Sequence, residues 1–527
     1  MKPTGIDYKK NKIIEVGYDY LDYRKFVHPL GLKFLILIFF AVIVIIVGFP
    51  IFFSRALVQP LNSLLSGVNQ VNNGDLDVVL PIYVEDEVGY LSRSFNGMVH
   101  SIKDSKQKLQ EYAETLEDKV KERTAELQKA FEEVNALKKQ QDGDYFLTSL
   151  LTHPLGSNKA QSPNLNVDVL LEQKKKFEFR KWARDIGGDT CITSSVTLKG
   201  KPHTVFLNAD AMGKSMQGAG GALVLGAVFY SIVERTRSVP TMQQLAPERW
   251  LKNAFLELDK VFESFDGSML VSLVLGLVDT QTGLLYYVNA EHPWSILYRD
   301  GNARFIENEL ALRKLGMYAD GRISVRVFEM QPGDALICGS DGRDDILLHT
   351  PDGRPKMNEN EDLILSAIRD AQGDIRRVYD ISAQRGEITD DYSLLKISYF
   401  GDAMPESEKK AMRSASGAYY RAQNYLKAIA EGEKYLNQRP ADTEFMRFLS
   451  RCHRLAGNYE IAIDLAERLR LRMPEDIRNL TNLAAMHGFR GSLERAGQIL
   501  AEIRALDAGN ASIKKLEDLL QRRAQKR

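Results

Sequence analysis

The spacing of hydrophobic positions changes several times along the chain, and each change marks a different unit. From Phe34 to Ser54 the run FLILIFFAVIVIIVGFPIFFS carries no charge, with Lys33 before it and Arg55 after it. That is enough for one membrane-spanning helix, which takes about 20 residues at 1.5 Å rise. It is too long and starts too late for a signal peptide, and no small-residue cleavage site follows. After Pro60, Leu61, Leu64, Leu65 and Val68 recur at helical spacing, NNGDLD interrupts, and Val88, Leu91, Phe95 and Met98 resume it. A charged stretch then places Leu109, Tyr112, Leu116, Val120, Leu127, Val134 and Leu137 at intervals that are mostly three, four or seven. This predicts a long helix with the seam of a parallel coiled coil. Between about 145 and 400, alternating runs with turn signals predict strands broken by helices. Beyond that, Tyr425, Tyr459 and Leu493 stand 34 apart, as do Ala428, Ala462 and Ala496, and Pro440, Pro474 and Ala508.

Length and charge refine this picture. A chain of 527 residues needs more than one core. Lys plus Arg and Asp plus Glu both number 70, so no net field favours a nucleic-acid partner. Cys191, Cys338 and Cys452 are too far apart for a zinc site and fit small buried residues in a reducing compartment. Seven basic residues precede the apolar run (Lys2, Lys9, Lys10, Lys12, Arg24, Lys25, Lys33), whereas Arg55 alone follows closely. The positive-inside rule would put the N-terminus in the cytoplasm and the rest outside. The downstream units argue for the opposite orientation, and a natural start upstream of Met1, with further spans or a sensor, would reconcile the two.

The chemistry begins with a hairpin. TCITSSVTL and HTVFLNA flank KGKP, and a turn at Lys199-Gly200 sets Asp189 opposite Asp210. Directly opposed residues have Cα atoms roughly 4.5–5.5 Å apart, and two carboxylates so close repel unless a cation or a proton intervenes. VFEMQPGDALICGSDG reads as a second hairpin about Pro332-Gly333, ending at Asp341, and Asp390 and Asp391 stand before the strand YSLLKISYF. Strand ends and starts meet in an antiparallel sheet, so Asp189, Asp210, Asp341 and Asp390 are expected on one rim. A carboxylate cluster without His or Cys suits Mg²⁺ or Mn²⁺.

Three resemblances follow from these residues. Pro60, Gly74-Asp75 and Asp86-Glu87-Val88-Gly89 resemble the HAMP module, which works in dimers on the cytoplasmic side. The 34-residue columns, with Gly457 and Gly491 in the turns and Gln423 at the matching place, resemble the tetratricopeptide repeat (TPR), which implies a groove for a protein partner. GGD, NADAMGKSMQGAGGALVL, NAEHPWSILYRDG, PGDALICGSDG and DDYSLL follow the order of SpoIIE/RsbU-type serine phosphatases of the metal-dependent, protein phosphatase 2C-like superfamily. That likeness implies a β-sandwich flanked by helices and two Mg²⁺ or Mn²⁺ ions. It implies Asp210 bridging both metals with the carbonyl of Ala211, Asp341 and Asp390 completing one, and Asp189 binding directly or through water. Between Asp390 and Asp391, Asp390 is favoured. It also implies a phosphoserine or phosphothreonine protein as substrate, a phosphorylated STAS anti-anti-sigma protein in particular, and makes the helix after Asp210 part of a regulatory switch.

The expected order is an N-terminal segment 1–33, a transmembrane helix 34–54, a HAMP module 55–106, a coiled coil 107–141, an α/β phosphatase 142–400, a linker 401–414 and an α-solenoid 415–527. The whole is expected as a homodimer in a bacterial cytoplasmic membrane, single-pass as given, with the phosphatase and repeats in the cytoplasm. Three other readings compete with this one. GGD after a HAMP module and coiled coil is common in cyclic-dinucleotide synthases, but Thr190 and Cys191 follow it here in place of an acid and an aromatic. MGKSMQG lacks the first glycine of a phosphate-binding loop, since Asn208 stands there. A degenerate phosphatase acting as a scaffold beside the repeats is the non-enzymatic alternative. His292, in AEHPW, either serves the substrate or fixes a strand-end turn.

Overall fold

The computed structural model describes residues 20–309, 313–317, 323–349, 354–402 and 404–524. It divides into two compact units, 1–134 and 135–527. Residues 1–19 of the expected N-terminal segment lie outside the described residues.

In the first unit, α1 (Tyr20–Ile43) leads through π-helical turns at Val44–Gly48 and Ser54–Val58, separated by α2 (Phe49–Phe53), into α3 (Gln59–Asn72). Each π-turn ends two residues before a proline, Pro50 or Pro60. A proline nitrogen cannot donate to the carbonyl four residues back, and the ladder widens there. The stretch Tyr23–Asn72 reaches a mean hydropathy of 3.2 with none of that window buried, so it is long and apolar enough to cross a membrane. A second helix passes the same test, but half of its apolar window is buried inside the other unit. After α3, Leu80, Phe95 and Val99 form a small buried core with Leu64, Val71, Leu76 and Val78. The Asn96 side chain ties the connector to α4 (Glu87–Thr152), accepting from the Leu80 N–H at 2.8 Å and donating to its carbonyl at 2.9 Å. Asp86 caps that helix by accepting from the N–H groups of Val88 and Gly89 at 3.0 Å. A side chain on Gly89 would lie 1.8 Å from the Val84 carbonyl oxygen, which explains the glycine. Along α4 the seam residues Leu109, Tyr112, Leu116, Val120 and Leu127 are all exposed.

The second unit is built on two sheets. The first has the order β1 (Asn158–Lys159), β5 (Asp189–Leu198), β6 (Lys201–Ala211), β7 (Val271–Asp279), β8 (Leu284–Ala290), β11 (Arg326–Glu329). The second runs β10 (Asn302–Phe305), β9 (Ile296–Arg299), β12 (Ala335–Gly339), β16 (Tyr392–Tyr399), β2 (Leu165–Glu172). A two-stranded ribbon, β3 (Lys175–Phe179) with β4 (Trp182–Ile186), and a small sheet of β13 (Ile346–Leu348), β14 (Lys356–Met357) and β15 (Gly386–Ile388) stand apart. Strand alternation sorts the core. Phe206, Val274, Leu336, Leu395 and Ile397 fill the space between the sheets. Their neighbours Leu207 and Leu275 face outward onto α5 (Met216–Ser238) and α7 (Pro247–Glu263), which follows the short α6 (Pro240–Gln243). On the other side Ile337 and Leu394 meet α8 (Leu363–Asp370) and α9 (Ile375–Arg385). The result is the expected sandwich flanked by helices. The three cysteines are free and buried.

One strand expectation fails. The segment about Pro332-Gly333 is a corner between the sheets, since β11 pairs with β8 while β12 pairs with β9 and β16. Gly333 takes φ +92°, and Asp334 locks the corner by accepting two Arg299 guanidinium bonds at 2.6 Å and the Gln331 N–H at 2.7 Å. An apolar run, a Pro-Gly turn and a second apolar run read alike for a hairpin and for a corner.

The C-terminal helices are α10 (Glu406–Arg421), α11 (Tyr425–Gln438), α12 (Thr443–Leu455), α13 (Tyr459–Arg472), α14 (Ile477–Arg490), α15 (Leu493–Leu506) and α16 (Ala511–Ala524). The repeat column Ala428, Ala462 and Ala496 is fully buried, where a larger side chain would part the helices. Much of the expected linker 401–414 is already helix, because α10 begins at Glu406, and Lys409 is buried within it. Gly457 and Gly491 turn the chain at φ +82° and +86°, and Gln423 takes the same left-handed conformation at φ +59°. A residue with a Cβ is strained there, so Gln423→Gly is expected to stabilise the repeats by roughly 0.5 kcal/mol, net of the added unfolded-state entropy. A denaturant titration with unchanged m-value checks this.

Candidate metal centre

The β5–β6 register is the expected one: Leu198 faces Lys201 across the Lys199-Gly200 turn, and Asp189 faces Asp210. Lys199 and Gly200 both have positive φ, 48° and 74°, the twist that a two-residue hairpin needs. Asp189 thus opens β5, and Asp210 with Ala211 closes β6. In the second sheet β12 ends at Gly339, and Asp341 begins a single 3-10 turn two residues on. Asp390 and Asp391 precede β16, the neighbour of β12. The expected residues therefore come from both sheets at matching ends.

Burial and mutual repulsion both act on these carboxyls. Burial first, then the charges of Asp341, Asp390 and Asp391, pushes the Asp210 carboxyl up to about 7, with Lys314 pulling the other way. The surrounding protein, Asp345 and Asp390 push Asp341 up to about 6. Asp189 is raised well above the usual range by burial and by Asp210. One of its oxygens accepts from the Ser340 hydroxyl, and the other is buried without a partner. Asp391 is different, since both its oxygens accept backbone N–H bonds, from Lys174 at 2.7 Å and from Gly188 at 2.8 Å.

The glycines of GGD are explained by crowding. A Cβ on Gly188 would sit 2.3 Å from the Ala211 carbonyl oxygen and 3.2 Å from an Asp210 carboxylate oxygen. One on Gly187 would meet Gln173 at 2.0 Å and Asp391 at 2.2 Å. Gly188→Ala must therefore displace the Ala211 carbonyl, and is expected to weaken Mn²⁺ binding about tenfold, the loss typical of disturbing a ligand's support. Titration calorimetry checks it.

His292 is buried with both ring nitrogens engaged, one 3.0 Å from the Ser272 hydroxyl and one 2.8 Å from the Asn208 side-chain oxygen. Burial, then Arg343 and Lys314, lowers it to about 3, so it stays neutral and serves as an anchor for the turn after β8. Asn208 in turn donates to Ser393 at 2.9 Å, and the Ser393 N–H donates to Ser340 at 3.0 Å. This polar network behind the rim was missed from sequence, as were Lys314 and Asp345. Ser340, beside Asp341 in GSDG, was the one with a local signal.

The side-chain donors at the rim are carboxylates, and Asp189 keeps one buried oxygen unpaired. Repelling, desolvated carboxylates of this kind fit a hard divalent cation, which supplies the missing positive charge. Among the described residues no three acidic, His or Cys side chains already converge at ligating geometry, so the carboxylates are gathered at the rim without closing on a point.

Comparison with known proteins adds the following. Residues 200–400 match the family model described as Stage II sporulation protein E (SpoIIE), and residues 52–104 match the HAMP domain model. Nothing matches among curated proteins. Similar solved structures include the RsbU and RsbW domains of Rv1364c from Mycobacterium tuberculosis, 18% identical over 51% of this chain and 73% of that one, TM-score 0.34. Another is the PP2C phosphatase domain with a regulatory fragment of SpoIIE from Bacillus subtilis, 15% identical over 46% of this chain and 66% of that one, TM-score 0.35. The chain thus spans just under two thirds of that SpoIIE structure. The Arabidopsis OM64 TPR domain is 12% identical over 22% of this chain and 94% of its own, TM-score 0.20. The chain thus carries a region that matches the HAMP domain followed by a region that matches the SpoIIE family.

Proposed function

We propose that the chain is a membrane-anchored, HAMP-regulated phosphatase that hydrolyses phosphoserine or phosphothreonine in a protein. The observation that carries this reading is the opposition of Asp189 and Asp210 across β5–β6, with Asp341 and Asp390 near enough to raise the Asp210 carboxyl. Asp210, Asp341, Asp390 and the Ala211 carbonyl would hold two Mg²⁺ or Mn²⁺ ions, with Asp189 binding directly or through water. Such ions supply Lewis-acid activation of water and neutralise phosphate charge. The chain's own part is positional. Ser340 holds one oxygen of Asp189, and Gly188 lets the two strand ends approach. His292 stays neutral in its Asn208 and Ser272 bonds and moves no proton. Lys314 brings a cationic charge that favours the ionised forms of Asp210 and Asp341. Asp390 is the preferred ligand of its pair because Asp391 is committed to two backbone N–H groups.

The substrate proposed from the family likeness is a phosphorylated STAS anti-anti-sigma protein, and the repeats would recruit it or another protein partner. The exposed α4 seam is proposed to pair with that of a second copy, with the phosphatase and repeats in the cytoplasm. The deciding experiment is Mn²⁺-dependent phosphate release from a phosphoserine protein, comparing wild type with Asp210→Asn and Asp341→Asn. Equal activity in all three overturns the metal assignment. No activity and no bound metal in the wild type leaves the scaffold reading.

A further inference from the structure

The ribbon of β3 and β4 belongs to neither main sheet, and its register puts Lys175 with Ile186, Phe177 with Arg184, and Phe179 with Trp182 on one face. The last turns of α4 cover that face. The Tyr145 ring lies 5.6 Å from Phe177, and Phe146 lies 5.2 Å from Phe179 and 6.4 Å from Trp182. The Arg184 guanidinium sits 5.7 Å from the Phe146 ring and 5.6 Å from Trp182. Tyr145, Phe177 and Ile186 are buried together. Aromatic contacts of this number fix both distance and orientation.

Both roots of the ribbon end at the carboxylate rim. Ahead of β3, Gln173 is buried and donates its side-chain N–H to the Asp189 carbonyl at 2.8 Å, while its backbone N–H donates to Asp185 at 3.2 Å. The next residue, Lys174, donates its N–H to one oxygen of Asp391. Beyond β4, Gly188 donates its N–H to the other oxygen. A single carboxylate thus clasps the two roots, and Gln173 ties one of them to the residue facing Asp210.

We propose that the ribbon is a positioning element for the candidate metal centre. The seating of Tyr145 and Phe146 on its aromatic face sets, through Gln173 and Asp391, where Asp189 and the strand end opposite it lie. Gln173 and Asp391 are then positioning residues and do not touch the substrate. The consequence for metal binding rests on the phosphatase reading, whereas the mechanical link between helix end and rim does not.

The test uses the full chain in lipid nanodiscs, with Phe146→Ala and the conservative Phe146→Tyr. The readouts are amide hydrogen exchange at Lys174 and Gly188 and Mn²⁺ binding by calorimetry. In Phe146→Ala, exchange at both amides is expected to quicken about tenfold and Mn²⁺ affinity to fall about fivefold, with β7 amides unchanged. Phe146→Tyr is expected to restore both. Unchanged exchange at Lys174 and Gly188 overturns the proposal, as does a change that spreads equally into β7, which would be general loosening. Coupled exchange in a protein that binds no Mn²⁺ supports the positioning link and removes the metal reading instead.

Discussion

Asp210→Asn is expected to lower Mn²⁺-dependent phosphate release by at least about 10²–10³-fold, the loss that follows removal of a principal charge-stabilising group. It should also weaken Mn²⁺ binding, and it should do both without lowering the stability of the metal-free protein. The reason is the cluster itself. Asp210 is held against burial and against Asp341, Asp390 and Asp391, with Lys314 as the opposing charge. Replacing its carboxylate by an amide of the same shape removes one repelling charge while leaving the β6 backbone ladder in place. Function and stability therefore move in opposite directions, the behaviour expected where a site is kept in a strained arrangement for its chemistry. Phosphate release and Mn²⁺ titration test the first part, and melting in the presence of a chelator tests the second. A fall in chelated-state melting as large as the fall in activity would mean that Asp210 is structural.

Why Asp189 and Asp210 could be paired from sequence, when much else could not, comes down to how local the determining contacts are. The Lys199-Gly200 turn allows one register, and that register carries the pairing ten residues out to the rim. The repeat columns were equally legible, because a period needs only the chain itself. The Pro332-Gly333 corner was not, since whether β12 returns to β11 or crosses to β16 depends on strands outside the segment. The ribbon in EQKKKFEFRKW is not legible from sequence, because its aromatic partners, Tyr145 and Phe146, stand on the end of a helix whose pattern continues a coiled coil. Lys314 and Asp345 came from loops with no periodic signal. Glu248 is the clearest case. It sits in the first turn of an amphipathic helix, where a carboxylate is ordinarily solvated beside the helix dipole. Here it is fully buried, because Arg468 and Arg472 reach it from more than two hundred residues away.

Glu248→Gln should therefore destabilise the second unit by about 3–5 kcal/mol, the usual consequence of leaving buried partner charges uncompensated. At roughly 1 °C per kcal/mol for a unit spanning 135–527, the melting temperature should fall by roughly 5 °C. Glu248 accepts from Arg472 Nε at 2.9 Å and Nη2 at 2.5 Å, and from Arg468 Nε at 3.1 Å. The Arg472 guanidinium also lies 5.5 Å from the Tyr286 ring of β8 and donates to the Pro440 carbonyl at 2.5 Å. One ion cluster thus fastens α13 of the repeats to α7 and the first sheet. Burial alone would raise the Glu248 acid, but Arg468 and Arg472 outweigh it and hold the group down at about 2. A depressed carboxyl contributes stability above its unfolded value, near 4.3, and loses it as pH falls through the folded value. Wild type should accordingly lose this contribution between about pH 4 and pH 2, and Glu248→Gln should lack that part of the acid slope. Replacing all three residues by apolar ones of similar volume should recover much of the loss, since the cost lies in the stranded charges and not in a missing attraction. If Glu248→Gln instead melts as wild type and keeps its acid slope, the cluster contributes nothing net. The repeats would then be held by the apolar contact of Ala441 and Leu471 with the core of the first sheet and its helices.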